Sequence, residues 1–200
     1  MSALAAAIVR TRSELENLGV RWAVVGGLAL AVRAEPRQTL DVDLAVAVSG
    51  DREAERFVRQ LTERGFRYIE EGPVIEQTAT ERLAAVRLEP PTPDDLPVVV
   101  DFLFHSSGIE NEVVEAAHEL DVLPGLRLPV ATRGHMIALK VLAGRVQDLA
   151  DTENLLRFAT AEDIALARGA LDLIAQRGCD RGKDLQGALN QRIAAAFPPV

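Results

Sequence analysis

The sequence is poor in aromatic residues, in lysine and in cysteine. Aromatics make up 4% of 200 residues, with one Trp and one Tyr, too few for a stacking platform that grips single-stranded nucleic acid. Cys179 is the one cysteine, so an internal disulfide is excluded, as is structural zinc held on thiolates. A reducing compartment fits. The longest N-terminal apolar run, residues 4–9, is short and follows no basic residue, and no stretch approaches about 18 unbroken apolar residues. These absences predict a cytoplasmic chain without signal peptide or membrane span. Positive charge is also short: 22 Lys+Arg stand against 30 Asp+Glu, a net charge of -8. Binding to duplex DNA through counterion release is therefore not expected.

Hydrophobic residues are 48% and charged residues 26%, enough to bury a core and too apolar for a disordered chain. The charge is uneven. Residues 41–123 carry a net charge of -12, whereas residues 124–147 hold Arg127, Arg133, Lys140 and Arg145 and no acid. That acid-free stretch is either an accident of sampling or an anion-binding strip, which with the basic segment 1–40 could dock RNA locally.

Periodicity predicts a helix over 3–18, a strand over 21–25 ending in Gly26-Gly27, and a helix over 28–34. A strand over 39–48 follows, then a helix over 51–64. Strands are expected over 66–70, 82–89 and 98–104, with a turn-rich loop over 90–97. A helix over 110–120 and an extended piece over 126–130 come next. Helices over 132–147, 151–159, 161–177 and 183–196 complete the chain. The expected fold is α+β: a mixed β-sheet with flanking helices over 1–130, then an all-α part over 131–200.

The polar residues inside apolar strands carry the chemistry. Strand alternation puts Asp41 and Asp43 on one face, with Cα atoms roughly 6.6 Å apart. Two such carboxylates repel unless a cation lies between them, and hard divalent ions take oxygen ligands. The tripeptide alone decides little, since 13 Asp in 200 residues give about one Asp-x-Asp by chance. Asp101 is the single polar residue in 98–104. It is either a strand-end Asp with a local hydrogen bond or the third member of a cluster able to hold two metal ions. Gly26-Gly27, between a strand and a helix, is either a plain turn or a phosphate cradle of bare backbone N–H groups.

Together, Val25-Gly26-Gly27, a gap of 13 residues, Asp41-Val42-Asp43-Leu44 and a later Asp101 resemble the nucleotidyltransferase superfamily typified by DNA polymerase beta. Gly27 stands where Ser is more usual, so a hydroxyl contact to phosphate is missing. Within that superfamily, Gly26, Gly27, Arg37, Thr39, Asp41 and Asp43 are similar to the motif of the AbiEii-type toxins of type IV toxin–antitoxin pairs. Lys140, Arg145, Asp148 and Asp151 resemble the helical motif of the same group. A wheel of about 100° per residue puts these four on one half of a helix, opposite Leu139, Leu142, Val146 and Leu149, provided the helix runs unbroken to Asp151. The plainer alternative is an amphipathic helix with internal salt bridges.

The resemblance implies transfer of a nucleoside monophosphate from an NTP to an acceptor hydroxyl, with magnesium or manganese on Asp41, Asp43 and Asp101. Gly26, Gly27, Arg37, Thr39, Lys140 and Arg145 are the implied nucleotide-binding residues, Arg145 either contacting phosphate or being held by Asp148 and Asp151 from behind. The 131–200 helices would complete the nucleotide site. The implied acceptor is RNA, a tRNA 3′ end in particular, and a cognate antitoxin is an expected partner. The alternatives are a transferase acting on an antibiotic or a protein hydroxyl, and a non-catalytic antitoxin-like module. The sequence does not select the NTP.

Overall fold

A computed structural model describes residues 2–69, 75–77, 83–92 and 97–197. Its elements run α1 (Ala3–Leu18), β1 (Trp22–Val24), α2 (Gly26–Arg33), β2 (Val42–Val46), α3 (Asp51–Glu63), β3 (Arg67–Tyr68), β4 (Ile75–Gln77), β5 (Leu83–Glu89) and β6 (Val100–Leu103). Then come α4 (Glu110–Glu115), β7 (His118–Leu123), β8 (Leu126–Val130), α5 (Arg133–Ala143), α6 (Val146–Arg157), α7 (Ala161–Gln176) and α8 (Leu185–Ala196). Seven strands line up as β3-β5-β6-β2-β1-β8-β7, and β4 pairs with β5. The sheet is mixed: β2 runs parallel to β6 and β1 parallel to β8, while the other pairings are antiparallel. Among the described residues, helices alone follow β8. This is the expected α+β arrangement of a mixed sheet, flanking helices and C-terminal helices. No helix among the described residues is long and apolar enough to cross a membrane.

Local signals account for several boundaries. Ser2 caps α1 by accepting from the Ala5 amide, and Gly19 ends the helix at φ 64°. Phe57 of α3 meets Phe102 and Phe104 edge to face, with centroids 5.4 and 5.8 Å apart, which docks α3 on the sheet. Burial of Val42, Leu44, Val100 and Phe102 makes β2 and β6 central strands.

Four expectations are corrected. The strand over 39–48 narrows to Val42–Val46, and Leu40, inside the expected strand, is 78% exposed. The pairing with β6 begins only at Val42, so nothing holds residues 39–41 in the sheet. The helix over 110–120 stops at Glu115, and residues 118–123 form β7. Pro124-Gly125, with Gly125 at φ 76°, turns this segment into a hairpin with β8, and strand pairing overrides helical composition. The helix over 132–147 breaks at Gly144 (φ 66°), and α6 begins after Arg145. Finally, α2 starts at Gly26 itself, two residues ahead of the expected start. Glu70, Arg82 and residues 93–96 of the expected strands and loop lie outside the described residues.

Candidate active site

The parallel register of β2 and β6 pairs Asp43 with Asp101. In-register partners share a sheet face, so these two carboxylates are neighbours across adjacent central strands. Asp41 lies just ahead of β2, where the chain has left the sheet. Thr39 holds it: the Thr39 hydroxyl donates to Asp41 Oδ1 at 2.5 Å. One carboxylate oxygen from each of Asp41, Asp43 and Asp101 lies within 4.8 Å of the other two; Asp41 is exposed, and the others are half-buried. The structure thus brings the three acids together, although Asp41 arrives by a tethered loop and not by strand alternation.

The turn after β1 is built onto this cluster. The Val25 amide donates to the Asp43 carbonyl at 2.9 Å. Gly26 sits at φ 61°, and a Cβ there would overlap the Asp43 carboxylate; a Cβ on Gly27 would collide with Thr39. Both glycines are required by close approach, one to each partner. The Gly27 amide donates to the Asp43 carboxylate, so this N–H is engaged with an acid. Burial is the main cause that pushes Asp43 up to about 6, with repulsion from Asp41 and Asp101 adding to it and Lys140 and the Gly27 amide opposing it. Three converging carboxylates, with burial and mutual repulsion making Asp43 resist ionisation, match the donor chemistry of a hard divalent cation.

A second polar cluster sits beside the first, at the corner between α5 and α6. Arg37 forks onto Asp151, with Nε–Oδ1 2.9 Å and Nη2–Oδ2 3.0 Å. Lys140 lies between Asp148 and Asp151, at 3.0 and 2.9 Å. Arg145 Nε meets Asp148 Oδ2 at 2.7 Å, and the Arg145 amide donates to the same oxygen. Burial alone would raise Asp151. Hydrogen bonds from Arg37, Lys140 and Gln147 overcome it and hold the carboxyl down at about 2. Asp148 is also lowered, burial again being outweighed by Arg145 and Lys140.

The helical wheel over 140–151 is corrected here. Because the chain turns at Gly144, α6 folds its acids back over Lys140, which is buried where the wheel places it on an open polar half. Val146, expected on the apolar half, is 87% exposed. Of the three cations, Arg145 is open to solvent, its side chain 75% exposed. Attraction to Asp148 first, and to Asp43 and Asp41 as well, raises its pKa. Three cations against two carboxylates leave one positive charge over, beside three acids.

The acid-free stretch 124–147 does not form one strip. Arg127 donates to the Glu119 carbonyl in the β7–β8 hairpin, Arg133 pairs with Asp163, and Lys140 and Arg145 belong to the α5–α6 corner. His118, expected on a helix, is exposed on β7. Sequence reasoning missed Arg87, whose Nε donates to Asp101 Oδ1 at 2.9 Å, and Gln147, which donates to Asp151. Arg87 had a signal: it is the one cation between the apolar residues of β5, as Asp101 is the one acid of β6.

A sequence profile described as "Nucleotidyl transferase AbiEii toxin, Type IV TA system" matches residues 10–198. The comparison with curated proteins finds no match. Among solved structures, an antigenic nucleotidyltransferase-like protein from Paracoccidioides brasiliensis is similar over 98% of this chain and 96% of its own, at 16% identity and TM-score 0.51. ANT(2")-Ia, in complex with adenylyl-2"-tobramycin, is similar over 96% of this chain and 99% of its own, at 14% identity and TM-score 0.49. The lincosamide antibiotic adenylyltransferase LnuA, lincomycin-bound, is similar over 76% and 96%, at 13% identity and TM-score 0.46. At 16% identity, the likeness to the Paracoccidioides protein is one of fold.

Proposed function

This chain belongs to the AbiEii nucleotidyltransferase toxin family, and from that premise we propose that it moves a nucleoside monophosphate from an NTP to a hydroxyl of RNA, a tRNA 3′ end in particular. The observation that carries this reading is the convergence of Asp41, Asp43 and Asp101 within 4.8 Å under a glycine turn that closes onto Asp43. We read residues 1–130 as the core bearing this cluster and residues 131–200 as the helical part that completes the nucleotide site.

The three carboxylates suit magnesium or manganese, which when bound would stabilise the triphosphate charge and lower the pKa of the acceptor hydroxyl. The remaining steps fall to the chain itself. The acceptor oxygen bonds to the α-phosphorus, the bond from that phosphorus to the α–β bridging oxygen breaks, and pyrophosphate leaves. The hydroxyl proton passes to Asp101. Phosphoryl chemistry of this kind is mostly positioning and charge stabilisation. Thr39 fixes Asp41, the Gly27 amide fixes Asp43, and bare backbone at Gly26 lets the Asp43 carboxylate close against the turn. Arg145, exposed and attracted to Asp41 and Asp43, offsets charge on the departing pyrophosphate. Lys140 and Arg37, both held by Asp151, act from behind as a fixed positive wall. An acidic chain has little general affinity for RNA, so the acceptor is held locally at this mouth.

The test is incubation of the purified chain and divalent cation with each NTP, labelled at the α-phosphate, against total RNA, total protein and a panel of aminoglycosides and lincosamides. Label in RNA that sediments with tRNA supports the reading. Label confined to protein or antibiotic overturns the acceptor, and no label in any fraction overturns transfer itself.

A further inference from the structure

Asp101 has an in-register neighbour on each side. On β2 it faces Asp43, and on β5 it faces Arg87. The three side chains therefore form a row across three central strands on one face of the sheet. Arg87 Nε lies 2.9 Å from Asp101 Oδ1, with the Asp101 side chain 13% and Arg87 34% exposed. Val86 and Leu88, on either side of Arg87, are buried, so its backbone is set by the core and its guanidinium reaches Asp101 from a fixed base. A charge-assisted hydrogen bond in such a half-buried place is directional as well as attractive.

We propose that Arg87 is a positioning residue of the transfer reaction, acting through Asp101; this rests on the function proposed above. By holding Oδ1, it orients the Asp101 carboxylate toward the acceptor proton. As the hydroxyl oxygen bonds to the α-phosphorus and pyrophosphate departs, the proton lands on an oxygen whose orientation is already set, with no rotation of the carboxylate to wait for. Arg87 also places a permanent positive charge on the far side of Asp101 from Asp43, which lowers the repulsion within the cluster and competes with an incoming cation for the same carboxylate.

Arg87→Met and Arg87→Lys, compared with the parent chain, test this by steady-state transfer, Mn2+ titration calorimetry and thermal unfolding. Arg87→Met is expected to lower kcat by about ten-fold or more, leave KM for the NTP within about two-fold, and bind Mn2+ more tightly. Arg87→Lys, which restores the charge, is expected to recover part of kcat and return Mn2+ affinity toward that of the parent. A kcat for Arg87→Met equal to the parent's overturns the proposal, as does a loss that Arg87→Lys leaves unrepaired while Tm falls in parallel. Should Arg87→Met fail to fold, Arg87→Gln, which keeps a donor and drops the charge, takes its place. Should the parent chain transfer nothing, the proposed function has failed separately, and unchanged Mn2+ affinity in the Met or Gln variant then overturns the role of Arg87 as well.

Discussion

Asp43 is the residue on which the cluster's opposing demands fall. It is needed ionised to take part in a cation site, yet burial, Asp41 and Asp101 push its carboxyl up to about 6. A buried acid with a raised pKa destabilises the cation-free fold once it ionises. The cost is absent at low pH, grows as pH rises from the unfolded value near 4 toward 6, and reaches about 3 kcal/mol at neutral pH, for a shift of about two units. Asp43→Asn removes that cost while keeping an acceptor for the Gly27 amide. It is expected to raise the cation-free Tm by roughly 7 °C and to abolish transfer, a stability gain bought with function; calorimetry at neutral pH checks the first and label transfer the second. Gly26→Ala should also abolish transfer, by the opposite route. Its Cβ must displace the Asp43 carboxylate, and the backbone sits at φ 61°, so a lower Tm accompanies the lost activity.

At the scale of elements, the α5–α6 corner decides where the positive charge goes. Gly144 in the left-handed conformation ends α5, and Lys183 donates to the carbonyls of Leu142 and Ala143 at 2.7 and 3.1 Å, satisfying the last turn. The corner folds Asp148 and Asp151 onto Lys140, and Arg37 ties the loop before β2 to the same acid. Asp151→Ala leaves Lys140 and Arg37 short of a buried partner and is expected to cost about 3 kcal/mol, read by denaturant unfolding. Because Asp151 is held down at about 2, its contribution is complete above the unfolded value near 4 and is lost as pH falls through about 2. This corner was only partly legible in the sequence. Lys140, Arg145, Asp148 and Asp151 stand out as charges in a helical stretch, and a wheel drawn through them assumes one helix. The glycine that breaks the wheel is visible at position 144, but that α6 turns back over Lys140 is a consequence of packing. The β7–β8 hairpin was hidden in the same way, since His118–Leu123 has helical composition and becomes a strand by pairing with β8. By contrast, Gly19 and Gly65 mark the ends of α1 and α3 directly, and the apolar alternation of Val42, Leu44 and Val46 marks β2 but not its ends. The pairing of Asp43 with Asp101 depends on a register between strands more than 50 residues apart, which no local pattern encodes; the oddity of one acid in an apolar strand and the family resemblance pointed to it.

For the whole molecule, the mixed sheet places acids from two central strands and one loop together, and the helices after β8 bring compensating cations to them. The ledger of charge then predicts how cations act on the fold. At about neutral pH, Mg2+ or Mn2+ relieves repulsion among three carboxylates and is expected to raise Tm, whereas near pH 5 Asp43 holds its proton and the cation-induced shift shrinks. Thermal unfolding with and without cation across that interval checks it. A shift that is equal at both pH values would separate cation binding from Asp43. The most direct test of the account is transfer from an NTP labelled at the α-phosphate, run in parallel on the parent chain, Asp43→Asn and Asp101→Asn with total RNA and magnesium. The account predicts labelled RNA with the parent chain and none with either variant, both variants remaining folded. Labelling by either variant at the parent's rate would contradict it.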